Sequence, residues 1–406
     1  MPLLQRALST TTEFLAHELG EPGLVAPTWS DTEWRTARAV SAIHGVSGLL
    51  AGKLIWQGPA GWREFLEQQR QFTLQRQPRI QELLQALHAR ARERGLALIA
   101  LKGASLHARG VYGPGERPMA DIDLLVDAAQ VEQASALILD LGFLSGPVTW
   151  KHRAFEPRET DARVGDFGER SSNPLKIELH TRLREILPLR PVDVSAAAFA
   201  VQLAPGVNDY PTQAALLLHL LLHAAGALTG RTARLLHLQD IARLVQRMGP
   251  NEWQGLFTQA RSTSDPTLWW AFPALALTDR YFHCVPQPVL ARLASACSWL
   301  LRSIYGRRRL SDVSLSFLWI SAFPGFEWAR SPGELLGYAR ARIRPSADTL
   351  RLREEFARSQ PLVSGGEWAY TPQARRVARW LLARQPRQET LQPLRMSLLQ
   401  PWGQLP

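Results

Sequence analysis

The chain has 406 residues, of which 46% are hydrophobic and 20% charged, and a formal net charge of +11. This composition suits about two or three globular domains with a sizeable core, and argues against a disordered chain or a collagen-like repeat. Two cysteines, Cys284 and Cys297, with no CxxC pair, argue against a disulfide framework or a cysteine-based zinc site and fit a reducing cytoplasm.

Lysine stands only at positions 53, 102, 151 and 176, so arginine supplies nearly all of the 47 basic residues. The skew reads as GC-rich codon usage, with a nucleic-acid groove as the competing reading. The N-terminal residues lack a charged segment followed by an apolar one, so no signal peptide is expected. The longest apolar stretch, Ala214 to Leu228, carries His219 and His223 and is expected to be too short and too polar to span a bilayer.

Residues 1–94 read as an N-terminal helical region. Apolar residues recur at helical spacing in Leu3 to Leu19, Trp34 to Ile55 and Ile80 to Ala91, and Pro/Gly breaks near 22 and 59 separate them. Pro78 to Arg94 reads as one helix stopped by Gly95. Residues 95–205 change character. Leu96 to Leu101 is a short, wholly apolar run that suits a buried strand, and Lys102-Gly103 ends it before a helix at Ala104 to Arg109. Ala120 to Val126 reads as a second strand, Ala128 to Leu141 as a helix, and Phe143, His152 to Glu156 and Leu175 to His180 as further strands. Glu156 to Asn173 is polar and reads as a loop or hairpin tip. From 206 to 385 the helical period returns in Thr212 to Ala227, Ala233 to Met248, Glu252 to Ala260 and Pro266 to Phe282, then near 287–305, 312–322, 332–343 and 372–384. Residues 386–406 are expected to be loosely held. The fold class is therefore α+β and mainly helical, with a small mixed sheet flanked by N- and C-terminal helices.

Chemistry concentrates in the α/β insert. Asp121 and Asp123 are two apart on a strand, so both side chains point to one face. Two carboxylates on one face repel each other and call for a cation, and magnesium prefers such oxygens. Glu178 on the later strand completes a three-acid set if the strands are neighbours, and His180 shares its face. Asp121 and Asp123 read as exposed acids whose removal leaves the fold intact. The strand-Lys-Gly-helix element is the phosphate half: Gly103 allows backbone approach, the hydroxyl of Ser105 can hold a polyphosphate, and Lys102 and Arg117 can neutralise it.

The order of these pieces resembles the DNA polymerase β-like nucleotidyltransferase superfamily. The segments LKGASLHARGVYGPGERPMADIDLLV and IELHTRL are similar, more closely, to its uncharacterised bacterial nucleotidyltransferase family. Flanking segments near 42, 219–244 and 338 extend the resemblance over most of the chain. The superfamily usually sets Gly and Ser side by side, whereas here Ala104 separates Gly103 from Ser105. The resemblance implies transfer of a nucleoside monophosphate from an NTP to an acceptor, with release of pyrophosphate. It also implies two Mg²⁺ ions on Asp121 and Asp123, and Glu178 as third ligand or proton acceptor. The acceptor is open: a small molecule, a peptide or protein, or an RNA end. No membrane partner is expected. The competing readings are a non-catalytic nucleotide-binding or interaction protein, and a toxin-like enzyme acting on tRNA or a partner protein.

Other features allow several roles. His180 reads as an acceptor-side hydrogen-bonding group, a general base or strand filler. His152, beside Lys151, reads as a surface-strand residue or a triphosphate contact. His219 and His223 are four apart, a metal-compatible spacing that equally suits core histidines. Arg307-Arg308-Arg309 reads as a solvated loop or an RNA or acidic-partner contact. Trp253, Phe257, Trp269 and Trp270 read as helix-packing aromatics. In the resembled family a His and an Asp-Ile recur at positions matching His223 and Asp240-Ile241.

Overall fold

The computed structural model describes residues 2–158, 168–188, 190–314, 325–347, 349–351, 372–382 and 388–399. Four helices open the chain: α1 (Pro2–Gly20), α2 (Asp31–Ile43), α3 (Ser47–Lys53) and α4 (Ala60–Glu93). The strands are β1 (Ala97–Ala100), β2 (Asp121–Val126), β3 (Phe143–Val148), β4 (His152–Pro157), β5 (Lys176–His180), β6 (Arg184–Leu187), β7 (Arg190–Asp193) and β8 (Gly206–Asn208). Between them lie α5 (Lys102–Ala108), α6 (Val131–Asp140) and α7 (Ser195–Ala198). After the sheet come α8 (Gln213–Gly230), α9 (Leu235–Val245), α10 (Pro250–Ala260), α11 (Phe272–Phe282), α12 (Gln287–Ser295), α13 (Trp299–Tyr305), α14 (Pro332–Ile343), α15 (Gln373–Leu382) and α16 (Gln388–Leu399). The fold is α+β and mainly helical.

One mixed sheet runs in the order β3-β4-β5-β2-β1-β8, and β6 and β7 form a separate hairpin. β2 lies antiparallel to β1 and parallel to β5, and β4 is antiparallel to β5. The strand β8 and the β6–β7 hairpin escaped the sequence reading. Gly206-Val207-Asn208 is too short to show a period, and it becomes a strand only by pairing with β1.

The sheet separates two cores. Ile122, Leu124 and Val126 of β2, with Ile177 and Leu179 of β5, pack against Leu87 and Ala91 of α4 and Leu137 of α6. Ile99, Leu101 and Leu125 join the larger helical core, which includes Leu217, Leu221 and Leu238. Because side chains alternate along a strand, Asp121 and Asp123 lie on the face turned toward that helical body.

Several local expectations are refined. Residues 34–55 form two helices because the chain turns at His44-Gly45-Val46, where Gly45 has φ +69°. Ser30 caps α2: its hydroxyl accepts from the Glu33 N–H, and the Glu33 carboxylate accepts from the Ser30 N–H at 2.9 Å. Pro78 does not start a helix but sits inside the 34-residue α4, on its exposed side, where water can take the carbonyl left without a donor. Helix α8 is long and apolar enough to cross a membrane by length and composition, contrary to the reading from its histidines; 78% of it is buried within the protein, against α9, α10 and α11. Residues 388–399, in the stretch expected to be loosely held, form α16, which packs on α2 with Leu394 and Ser397 buried. Most of the expected helix at 312–322, and the middle of the 156–173 loop, lie outside the described residues.

Candidate active site

The register of β2, β5 and β4 assembles the site. Asp123 pairs with Glu178, Leu125 with His180, and across the next strand Ala154 pairs with Glu178 and His152 with His180. Neighbouring strands hold partners on one face, so Asp121, Asp123, Glu178, His180 and His152 share a surface.

Asp123 is the centre of this group and is only 5% exposed, which corrects the reading of both aspartates as exposed acids. Its Oδ1 accepts from Lys102 Nζ at 2.8 Å and lies 3.0 Å from His180 Nε2. Burial works against its ionisation, but Lys102 and His180 outweigh that and hold the carboxyl well below its usual range. Asp121 is half-buried and is pushed up to about 6, first by burial and then by the charge of Asp123. Lys102 is desolvated too, yet Asp123, Asp121 and Glu178 keep its ammonium above the ordinary lysine range. His180 is raised as well: burial disfavours its charge, while Asp123 and Glu178 favour it.

On the other side of Glu178, its Oε2 lies 3.0 Å from His152 Nδ1 and 3.7 Å from His180 Nε2. His152, Glu178 and His180 present one ligand atom each within 4.8 Å of one another. Among the described residues this is the cluster of three metal-type donors that closes; Asp121 and Asp123 stand beside it on β2 and do not form a comparably tight trio with Glu178.

The phosphate half differs from the expectation. Lys102 takes a positive φ of +44°, so the chain turns sharply from β1 into α5 and its ammonium reaches Asp123. A Cβ on Gly103 would stand 2.3 Å from Arg117 Nη1 and 2.8 Å from Met119 Sδ, so glycine is required by the close approach of Arg117. Arg117 is not free for phosphate. It is buried, and its fork is spent on Asp240 of α9, Nε to Oδ1 and Nη2 to Oδ2, each at 2.8 Å. Tyr112 donates to the same Asp240 Oδ1 at 2.7 Å. Ser105 is fully buried and its hydroxyl donates to Asp209, so it does not face the acids.

The helical body closes the other side. His223 of α8 meets His237 of α9 edge to face at 4.8 Å, and its Nδ1 lies 3.9 Å from Glu185. Glu185 on β6 pairs with Lys151 at 2.5 Å, and a Cβ on Gly226 would stand 2.7 Å from its carboxyl carbon. His219 is bound to the Tyr210 hydroxyl through Nδ1, so His219 and His223 do not act as a metal pair. Burial lowers His219, His223 and His237 well below the usual range, which leaves three neutral imidazoles along this wall. Arg234, just before α9, is exposed and has no ion pair among the described residues. Surrounding protein lowers its pKa, while Asp121 and Glu169 pull the other way.

Asp209, Glu185 and Arg234 were not singled out for these roles by sequence. Asp209 holds Ser105, 104 residues away, and Glu185 meets Lys151, 34 residues away. No local pattern marks such partners. The remaining motifs are structural: Trp269, Trp270 and Trp253 are buried, Arg308 pairs with Glu327 at 2.7 Å, and Arg309 lies 3.9 Å from Asp312.

No curated protein and no solved structure matches the chain. A family model described as an uncharacterised nucleotidyltransferase matches residues 30–297, which span α2 to α12 and contain β1 to β8. With the paired aspartates on one strand and the third acid on the next, the chain belongs to this uncharacterised nucleotidyltransferase family.

Proposed function

We propose that the protein transfers a nucleoside monophosphate from an NTP to an acceptor hydroxyl in a Mg²⁺-dependent reaction that releases pyrophosphate. The observation that carries this reading is the register of β2 and β5, which sets Asp123 directly beside Glu178 with Asp121 on the same face. The donor set fits a hard dication. It consists of carboxylates, and the upward push on Asp121, first from burial and then from the charge of Asp123, is one a dication would relieve. Magnesium held by Asp121, Asp123 and Glu178 would neutralise the triphosphate and lower the pKa of the attacking hydroxyl.

The protein's own groups then have distinct tasks. Glu178 is open enough to take the acceptor's proton, while His180 and Lys102 hold Asp123 ionised and oriented. The acceptor oxygen forms a bond to the α-phosphorus, the bond to the β-phosphate bridge breaks, and pyrophosphate carries away the electron pair. Among the described residues Arg234 is a cation without an ion pair and takes the polyphosphate role in place of Arg117, and Lys102 adds a second positive charge. The acids and the α8–α9 wall hold the reactants in place, so positioning and charge neutralisation supply the catalysis. Cys284 and Cys297 are free, and burial pushes their thiols up to about 11 and about 12, so neither is activated as a nucleophile for this reaction.

Calorimetric titration of each of the four NTPs with Mg²⁺, on the natural protein and on Asp121→Asn, tests the reading without knowledge of the acceptor. Metal-dependent binding that Asp121→Asn loses is the expected result. No binding of any NTP to the folded protein overturns it.

A further inference from the structure

We infer that His152, Glu178 and His180 form a site for a nitrogen-seeking divalent transition metal, of which Zn²⁺ is the probe, at the β4 side of the acid cluster. The inference rests on the reading of this face as a metal-dependent site, and adds to it a second donor chemistry that three carboxylates do not have.

The donor set is two imidazoles and one carboxylate. Oxygen-only sites suit magnesium, whereas His₂Glu sites suit zinc and its neighbours. Two ligands each about 2.1 Å from a tetrahedral ion stand about 3.4 Å apart. The distances here bracket that value: 3.0 Å from His152 Nδ1 to Glu178 Oε2 and 3.7 Å from His180 Nε2 to the same oxygen. The three donors therefore surround one point without a large rearrangement.

Two further observations point to a ligand. His152 Nδ1 is shielded from solvent and makes no hydrogen bond among the described residues, although it faces Glu178. It lies 3.0 Å from Glu178 Oε2 without the geometry of a hydrogen bond, and a metal ion held by both atoms would satisfy them. Secondly, the donors are held by backbone register rather than by flexible loops. His152 and His180 are direct cross-strand partners with ring centroids 5.2 Å apart, and Glu178 is two residues from His180 on the same strand. Asp123 Oδ1 lies 3.0 Å from the same His180 Nε2, so it is placed to serve as a fourth ligand.

The test is equilibrium dialysis of chelator-treated full-length protein against Zn²⁺ alone, with metal counted by mass spectrometry, on the natural chain, His152→Gln and His180→Asn. Folding of each variant is checked by circular dichroism, and Mg²⁺·NTP binding is measured in parallel. The expected result is one Zn²⁺ per chain, with affinity reduced at least about 100-fold in His152→Gln, which still binds Mg²⁺·NTP. Should His180→Asn fail to fold, His152→Gln decides alone, because its ring is partly open and joins the β4 edge of the cluster. Zinc binding unchanged in folded His152→Gln overturns the site. So does a natural protein that binds Mg²⁺·NTP but no Zn²⁺, and that outcome leaves the nucleotidyltransferase reading standing. Zinc binding without any NTP binding supports the metal site and removes the nucleotide reading.

Discussion

Arg117 and Asp240 meet through two parallel hydrogen bonds of 2.8 Å, although 123 residues separate them. Both are buried, and Tyr112 adds a third contact to the same carboxylate. The pair ties the segment between α5 and β2 to helix α9, and so fixes the sheet's acid face against the helical wall. Removing one partner strands a buried charge, so Asp240→Asn should cost about 3–5 kcal/mol in denaturant unfolding. Arg117→Lys should lose the fork and behave similarly. A change within 0.5 kcal/mol for both would mean the pair contributes no net stability.

Arg234 should separate from Arg117 by its phenotype. Its side chain is exposed and has no ion pair among the described residues, so Arg234→Gln should leave the melting temperature nearly unchanged. Loss of one charge-assisted contact to phosphate is worth about 1.5–3 kcal/mol, or roughly 10- to 150-fold in NTP affinity. Titration calorimetry reads this directly, and unchanged affinity would remove Arg234 from the polyphosphate site.

The two aspartates should differ in stability but not in activity. Asp121→Asn removes a half-buried carboxylate that its neighbours already disfavour, so stability should hold or rise while Mg²⁺-dependent turnover disappears. Asp123→Asn leaves the Lys102 ammonium, 2.8 Å away, without its opposite charge and should cost about 3 kcal/mol as well. Adding Lys102→Met to Asp123→Asn should recover part of that loss. A thermal unfolding series on the three variants checks the order.

Acid should destabilise the protein through His44. This residue is fully buried, its Nδ1 accepts from the Leu235 N–H at 2.9 Å at the start of α9, and burial followed by the charge of Arg234 lowers it to about 3. The folded protein keeps the ring neutral while the unfolded chain takes up a proton below about pH 6.5. Stability from this group is therefore complete above about 6.5 and falls as the pH drops toward about 3, by up to about 1.4 kcal/mol per pH unit. His44→Asn, which retains an acceptor for the α9 N–H, should flatten that part of the profile. An unchanged slope in unfolding titrations would assign the acid sensitivity elsewhere, with His219, His223 and His237 next in line.

Gly103 should tolerate no side chain. A methyl group there would stand 2.3 Å from Arg117 Nη1, and the arginine cannot withdraw without breaking its bonds to Asp240. Gly103→Ala should thus mimic part of the Arg117→Lys loss, and the two changes combined should cost less than their sum.

The local pattern was enough to find β1, β2 and β5, the helices that frame them, and the shared face of Asp121 and Asp123. Alternation along a strand and the helical period are properties of a few consecutive residues, so one sequence carries them. The same argument put Glu178 and His180 on one face. It could not make β5 the neighbour of β2, nor bring His152 of β4 against both, because strand order depends on how distant segments pair.

The partners of the buried charges were likewise a matter of packing. Arg117 and Ser105 had the right chemistry for phosphate, and their sequence neighbours gave no sign of Asp240 or Asp209. A guanidinium or hydroxyl bonds to whichever acceptor the fold buries beside it, since leaving that acceptor unpaired out of water is costly. By itself the sequence determined which residues share a strand or helix face, and hence that acids gather on one side of a small sheet. Only the tertiary structure decided which cations remain free to meet a polyphosphate and which donors close around one point. Those depend on distances between segments that are not neighbours in sequence, set by the two cores that clamp the sheet.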